Sequence, residues 1–425
     1  MEDTTFSKIV KLTFEAQMNK SKTQQFIQKF SKIYTPVIII IAALVLIIPV
    51  VFFDQSFDKW LTQAVSLLVI ACPCALVIST PVAIYAAIGN ASARGILIKG
   101  GKFLELLAKV KVIALDKTRT LTYGKPVVSD VIPLNTNKEE LLSCAAGAEV
   151  FSEHPLAQAI VDASIKEGFN PHKVKNFQSI TGKGAIAECL VCEDETIFVG
   201  KLSFIKENQP VTAEAEKIVA QLSNQGKTSV VVSFGDGVAG IIGLMDEIKP
   251  DSKEAIDGLK ALGIDPIILT GDNEHAARFV AEHLGITRVY GGLLPEQKSE
   301  VIEKILNQSQ YVAMVGDGIN DAPALAKSTV SIAMGAVGSD SAIETADIAL
   351  MNDRISLLPF LVRLSRKTLR RIKFNTTGAI LVKLVFISLA FFGYSNLVFA
   401  IAADVGVTLI VILTSLRLMR FEVSE

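Results

Sequence analysis

The chain has 425 residues, a formal net charge of −1, 50% hydrophobic residues and a mean hydropathy of +0.44. Near-neutral charge leaves no bulk basic surface and excludes nucleic acid as a partner. The apolar excess excludes an ordinary soluble enzyme, and the length suffices for two or three domains.

Residues 1–32 read as an amphipathic helix, with Phe6, Ile9, Val10, Leu12, Phe14, Phe26, Ile27 and Phe30 spaced among lysines and glutamines. The first 33 residues contain no apolar core of the kind an export signal needs. Residues 34–53 and 61–87 are each apolar enough to cross about 30 Å of hydrocarbon, and the short link from Asp54 to Trp60 makes them a hairpin. A second pair, 376–392 and 396–415, is joined by a tight turn. Four spans put both termini on one side of the membrane. Lys22, Lys29 and Lys32 before the first pair, and Arg363, Arg366, Lys367, Arg370, Arg371 and Lys373 before the second, make that side cytoplasmic.

Within the second span, Ala71-Cys72-Pro73-Cys74-Ala75-Leu76 sets a proline between two thiols. Proline opens the helix and frees carbonyls beside two soft sulfurs, which together suit a thiophilic metal ion. Lys383 and Asp404 lie inside the third and fourth spans. A charge at that depth costs at least about 2.5–3.5 kcal/mol, so both should face protein or water. Asp404 reads as an oxygen ligand joining Cys72 and Cys74, with Lys383 as a neighbouring charge. A mixed thiolate and carboxylate set favours Zn²⁺, Cd²⁺ or Pb²⁺ over Cu(I).

Between the hairpins, strands alternate with helices, the pattern of an α/β domain with a mostly parallel sheet. The apolar run 110–115 ends abruptly on Asp116, a carboxylate able to take a phosphoryl group as an acyl phosphate. The run 266–269 ends at Thr270-Gly271-Asp272, and 311–315 at Gly316-Asp317. Parallel strands would gather these ends at one carboxyl edge. Residues 125–243 have strands of their own (196–199, 229–234) and helices (137–148, 155–166), and read as an inserted domain. In it, Cys189-Leu190-Val191-Cys192 has strand-like flanks that would point its thiols to opposite faces, a core-packing pair. Residues 245–250 read as a loop before a helix over 252–262.

Asp116-Lys117-Thr118-x-Thr120-Leu121-Thr122, Thr270-Gly271-Asp272-Asn273 and Met314-Val315-Gly316-Asp317-Gly318-Ile319-Asn320-Asp321, in that order, resemble the P-type ATPases. Cys72-Pro73-Cys74 with Lys383 and Asp404 resembles their zinc, cadmium and lead branch. The resemblance implies a multidomain membrane protein of the cell (inner or plasma) membrane, in contact with lipid. It has four transmembrane helices and an α/β haloacid-dehalogenase-like phosphorylation domain with an inserted α+β nucleotide-binding domain. The corresponding divisions are a linker helix 1–33, a hairpin 34–97, a phosphorylation domain 98–124 and 244–358, a nucleotide-binding domain 125–243 and a hairpin 359–425.

It implies ATP and Mg²⁺ as cofactors and export of Zn²⁺, Cd²⁺ or Pb²⁺ through an aspartyl phosphate. Asp116 would be the nucleophile, with Lys117 beside it in the same loop. The Thr118 carbonyl and Asp317 would hold Mg²⁺, with Asn320 and Asp321 completing the acidic end. Thr270, Gly271, Asp272 and Lys298 would surround the phosphoryl group, and Glu149, His154, Gly182 and Gly184 the adenine.

Two departures matter. The family has Gly where this chain has Arg119, which adds bulk beside the nucleophile and implies steric damage to phosphoryl transfer. The 425 residues contain no Thr-Gly-Glu actuator loop and no first pair of core spans, which implies the later part of a pump and a separately encoded front half as a partner. Two readings follow: a metal-transporting ATPase with impaired turnover, or a non-catalytic membrane protein that binds nucleotide or metal.

Overall fold

In the computed structural model, which describes residues 20–422 apart from 72, 181, 193–194, 310, 318–320, 336–344 and 392–396, two sheets lie between long helices near either end. Strands β1 (Ile96–Ile98) and β2 (Val112–Leu115) precede β3 (Thr122–Pro133). Then come β4 (Val174–Ile180), β5 (Gly184–Cys189), β6 (Thr196–Gly200), β7 (Thr228–Phe234) and β8 (Gly237–Ile248). The chain continues through β9 (Asp265–Leu269), β10 (Arg288–Tyr290), β11 (Val312–Gly316), β12 (Val330–Met334) and β13 (Ile348–Leu350).

The first sheet has the order β1-β13-β12-β11-β2-β9-β10 and is parallel except where β1 meets β13. Its central strands β2 and β11 are unbroken apolar runs because both faces are covered. Ile113, Leu115, Ile268 and Val315 enter the core under one face, while Val112, Ala114, Ile267 and Met314 enter the core under the other. In β2, Leu115 pairs with Val315 of β11 on one side and Ile268 of β9 on the other, so three strands end together.

The second sheet, β3-β8-β7-β6-β5-β4, is antiparallel throughout. Alternation along β7 sends Val230 and Val232 to one core and Val231 to the other. The first core holds the helices Lys138–Glu149 and Pro155–Lys166, the second Leu202–Asn208 and Ala213–Asn224. The first two helices start where the sequence supplies an acceptor: Asn137 accepts from the Glu140 N–H, and His154 from the Leu156 N–H with Pro155 just inside. β3 and β8 carry this sheet out to Thr122 and Ile248, beyond the limits 125 and 243.

Two expectations are corrected here. Residues 245–248 continue β8 instead of forming a loop, and pair with Val127, Pro126 and Thr122 of β3. Cys189 ends β5 and residues 190–192 turn, so the two thiols of Cys189-Leu190-Val191-Cys192 do not sit on opposite faces of a strand.

Of the amphipathic segment, residues 1–19 lie outside the described residues, and from Lys22 one continuous helix runs to Phe52, capped by Ser21. The next helices, Phe57–Ala71 and Cys74–Ala93, break at Pro73, where the missing N–H and the ring interrupt the ladder. Among the described residues, Thr23–Phe52, Phe57–Ala93 and Ile401–Arg420 are long and apolar enough to cross a membrane. Val37, Ile39, Ile40, Val51 and Phe52 on the first, and Leu409, Ile410 and Leu413 on the last, face outward as lipid-exposed side chains do. The expected span 376–392 falls on the far part of the helix Leu357–Phe391 and ends outside the described residues.

That helix begins inside the first sheet's core, through Leu358, Leu361 and Leu364. Further along, Asn375 Nδ2 donates to Ser415 Oγ (3.0 Å) and Thr414 Oγ1 donates to Asn375 Oδ1 (3.2 Å), which ties it to the helix Leu397–Leu416.

Candidate functional site

The strand order brings the sequence-predicted residues to one edge. Asp116 follows β2 and its N–H donates to Val315 O (2.9 Å), which extends the ladder by one residue and fixes the carboxylate at the rim. Thr270 follows β9, Asp317 follows β11, and Lys298 comes from the helix Pro295–Ser309. Lys298, 4% exposed, donates to Asp116 Oδ1 (2.6 Å) and Asp321 Oδ1 (2.5 Å). Burial pushes the Asp116 carboxyl up to about 7; Asp321 raises it, Lys298 opposes, and Asp317 raises it further. Asn320 lies outside the described residues. Asp321 Oδ2 is buried with no hydrogen-bond partner among the described residues. Such an orphaned oxygen beside two further carboxylates suits a hard divalent cation.

On the other side of the nucleophile, Lys117 forms an ion pair with Asp272, and Thr118 Oγ1 donates to Asp272 Oδ2 (3.3 Å). Thr270 Oγ1 accepts from the Asp272 N–H (3.1 Å), closing the turn after β9 around the exposed Gly271.

Arg119 adopts φ 60°, ψ 0°, the left-handed region that glycine enters freely. Its side chain is exposed and lies over Gly124, where an added Cβ would come within 2.4 Å of Arg119 Cγ. The loop thus carries a backbone conformation that disfavours a side chain, in addition to the bulk expected from the arginine itself.

Asp246 and Lys249, which the sequence placed in a loop and gave no part in the site, hold this loop. Asp246 accepts from Thr122 Oγ1 (2.5 Å) and the Lys125 N–H (3.2 Å). Lys249, 3% exposed, donates to Arg119 O (3.0 Å) and to Asp353 Oδ2 (2.8 Å). A cleft of ≈ 230 Å³ between the sheets is lined by Lys117, Thr118, Asp246, Asp272 and Asn273 on this side and by Leu156, Gly226 and Thr228 on the other.

Glu149 and His154 lie on the connection between the helices Lys138–Glu149 and Pro155–Lys166; Gly182 and Gly184 lie on the β4–β5 hairpin. Phe151 and Phe177, with ring centroids 5.9 Å apart, link that connection to β4. His154 is exposed, and its Nδ1 accepts from the Leu156 N–H (3.2 Å). Burial raises the Glu149 carboxyl above its usual range, against a hydrogen bond from Ser152.

The two glycines differ. Gly182 has φ +72° and open space at its Cβ position, whereas a Cβ on Gly184 would meet Val199 O at 2.1 Å. Gly184→Ala is expected to cost about 1–3 kcal/mol as an overpacked strand pair. Gly182→Ala should cost only about 1 kcal/mol, from backbone conformation. Hydrogen exchange at β5 and β6 measures both, and equal protection losses in the two variants would contradict the ordering.

Between the helices Leu357–Phe391 and Leu397–Leu416, Lys383 Nζ stands 3.2 Å from Asp404 Oδ1. That carboxylate oxygen is buried and takes no hydrogen bond among the described residues, so the pair is a charge contact without hydrogen-bond geometry. Asp404, Lys383, Ala379 and Val407 line one small cavity. Cys72 lies outside the described residues; Cys74 begins the helix Cys74–Ala93, and its neighbour Ala75 packs on Ala379 and Val411.

A family model for hydrolases, haloacid dehalogenase-like hydrolase, matches residues 110–329. A probable cadmium-transporting ATPase of Staphylococcus aureus (strain MRSA252) is 47% identical over 99% of this chain and 58% of its own length. A zinc/cadmium/lead-transporting P-type ATPase of Escherichia coli (strain K12) is 41% identical over 97% of this chain and 55% of its own. The chain thus spans a little over half the length of these curated relatives. The crystal structure of a zinc-transporting PIB-type ATPase in the E2.Pi state superposes with a TM-score of 0.83 at 40% identity, covering 98% of this chain and 67% of that one. On this likeness, and on a parallel sheet whose carboxyl edge carries a buried Asp116 held by Lys298, the chain belongs to the haloacid dehalogenase-like hydrolases and, within them, to the P-type ATPases.

Proposed function

We propose that this chain takes the γ-phosphoryl group of ATP onto Asp116 and couples that step to movement of Zn²⁺, Cd²⁺ or Pb²⁺ across a membrane. The observation that carries the reading is the meeting of Asp116, Asp272, Lys298 and Asp321 at one sheet edge, in a chain whose long apolar helices also hold the half-buried Lys383–Asp404 pair.

Lys298 holds Asp116 Oδ1, which leaves Oδ2 as the attacking oxygen. Attack on the γ-phosphorus forms the acyl phosphate, and the bond to the bridging oxygen breaks so that ADP leaves with the electron pair. Lys117, Thr270 and the Gly271 N–H orient the transferring oxygens, and Lys298 offsets their charge. Asp116, Asp317 and the Thr118 carbonyl would hold Mg²⁺, with Asp321 at their rear; the set is all oxygen, as that ion prefers. When bound, Mg²⁺ supplies positive charge against the phosphate oxygens and keeps Asp116 ionised.

Residues 125–243 act as the nucleotide-binding domain, with Glu149, His154 and the 182–184 backbone around the adenine and the inter-sheet cleft around the phosphates. Cys72, Cys74 and Asp404 bind the transported ion, and Lys383 supplies the charge that replaces it when it leaves. Four spans, with the sheets and both termini cytoplasmic, follow from the basic residues flanking each hairpin. Arg119 lowers turnover through its backbone conformation.

γ-Labelled ATP given to the full chain in detergent is expected to label Asp116 in a Zn²⁺- or Cd²⁺-dependent manner. The label should vanish in Asp116→Asn and lose its metal dependence in Asp404→Asn. Metal-independent labelling of the parent chain would overturn the coupling.

A further inference from the structure

Four residues far from both sites converge in the antiparallel-sheet unit. Cys144 lies on the helix Lys138–Glu149, His172 just before β4, Cys189 at the end of β5 and Cys192 in the turn that follows. His172 Nδ1 is 3.4 Å from Cys144 Sγ, 3.6 Å from Cys189 Sγ and 3.5 Å from Cys192 Sγ, while Cys144 Sγ and Cys192 Sγ are 3.7 Å apart. All four donor atoms lie within 4.8 Å of one another. One imidazole nitrogen makes a single hydrogen bond in either tautomer, so three sulfurs around it are not explained by hydrogen bonding. Nor are they explained as core thiols, because a half-buried histidine brings a polar atom into the middle of the group.

A tetrahedral cation explains them. With metal–sulfur bonds of about 2.3 Å and metal–nitrogen bonds of about 2.0–2.1 Å, tetrahedron edges come to about 3.8 Å between sulfurs and about 3.6 Å from sulfur to nitrogen. The three sulfur–nitrogen separations and the Cys144–Cys192 separation fall close to those edges, and the two remaining sulfur pairs lie within 4.8 Å.

The surrounding backbone is built to the same end. The Cys192 N–H donates to Cys189 Sγ (3.3 Å), the His172 N–H donates to Ser143 O (2.9 Å), and the Leu190 N–H donates to Lys173 O (2.9 Å). A Cβ on Gly147 would meet His172 O at 2.4 Å, so that glycine admits the histidine's backbone against the helix. Cys144 and Cys189 are fully buried; His172 and Cys192 are partly exposed and leave a way in.

We propose that Cys144, His172, Cys189 and Cys192 bind a thiophilic divalent cation, Zn²⁺ or Cd²⁺, at a site separate from the membrane cysteines. Coordination replaces the thiol protons, which pass to solvent, and joins the helix Lys138–Glu149 to the β4–β5 hairpin. Glu149 lies at the end of the same helix, so the ion stiffens the segment that leads to the cleft.

The test uses the full chain in reducing detergent buffer with Cys72→Ala and Cys74→Ala, which removes the membrane thiols. Cd²⁺ titration, read by thiolate-to-metal absorbance and bound-metal analysis, is expected to retain one tight ion per chain. Cys144→Ser with Cys192→Ser should remove that ion, and His172→Gln should weaken it at least about 100-fold. Because Cys144 is buried, Cys192→Ser and His172→Gln alone serve as the variants most certain to fold, checked by unchanged circular dichroism. A stoichiometry and affinity indifferent to Cys192 and His172 would overturn the site. So would the absence of any tight ion in the parent of this series. Asp116 labelling, measured in parallel, fails or succeeds independently of either result.

Discussion

Lys298→Met is expected to destabilise the parallel-sheet unit by about 3–5 kcal/mol, the cost of leaving a buried charge without its partner, and to reduce Asp116 labelling by about 100-fold or more. The lysine is 4% exposed and holds Asp116 and Asp321 at 2.6 and 2.5 Å. Asp317 adds a third carboxylate close enough to raise both of the others. Methionine fills the space but supplies no charge, so the carboxylates can escape mutual repulsion only by taking up protons.

That makes the loss depend on pH, with a definite sign. Asp116 already titrates near 7 in the folded chain, against about 4 when unfolded. Between those values the folded state holds a proton that the unfolded state has released, so this group's contribution to stability falls as pH rises. Removing Lys298 pushes the carboxyl higher and extends the window upward. The variant should therefore melt closer to the parent at about pH 6 than at about pH 8, and millimolar Mg²⁺ should narrow the gap at the higher pH. Equal melting of variant and parent at both pH values would mean that these carboxylates are solvated enough to need no cation.

Arg119→Gly should stabilise the loop by about 1 kcal/mol and raise the acid-stable, hydroxylamine-sensitive label on Asp116 by about tenfold or more. The left-handed conformation costs a side-chain-bearing residue about 1–2 kcal/mol, and glycine is exempt. Phosphoryl transfer depends on position, so a loop that relaxes by about 1 Å to relieve that strain forfeits about a hundredfold in rate. Lys249 holds the Arg119 carbonyl, not its side chain, so glycine keeps the anchor. Arg119→Ala separates the causes: it removes the guanidinium and retains the strain, so its label should match the parent's. If alanine restores labelling as well as glycine does, the long side chain is the cause and the conformational account fails.

The residues at the sheet edge were legible because Asp116, Thr270 and Asp317 each end an apolar run, and a run buried on both faces has one way to present its last residue. Asp246 and Lys249 were not. Each is a single polar residue in a segment that reads as a loop, and its role exists only because β8 returns beside β3 to face the nucleophile loop. The Cys144, His172, Cys189 and Cys192 cluster was half legible. The paired spacing of the last two was visible, but the turn after Cys189 reverses their expected directions, and the other two ligands come from separate elements. The left-handed backbone at Arg119 was signalled only by the family's glycine at that position, since the arginine itself gives no sign of it. Continuity of the first helix past Lys29 and Lys32 escaped notice because charge marks a membrane boundary without marking a helix end.

The helix Leu357–Phe391 has a mechanical meaning. Leu361 is clamped in the parallel sheet's core, and Lys383 meets Asp404 on the same unbroken helix. The distance between those two positions is about 33 Å at 1.5 Å per residue. A rod of that length, tilted by about 5° at its clamped end, carries the Lys383 ammonium sideways by about 3 Å, as far as its 3.2 Å separation from Asp404. With no loop between the clamp and the charge, a small rocking of the sheet would carry straight through to the ion pair between the two helices.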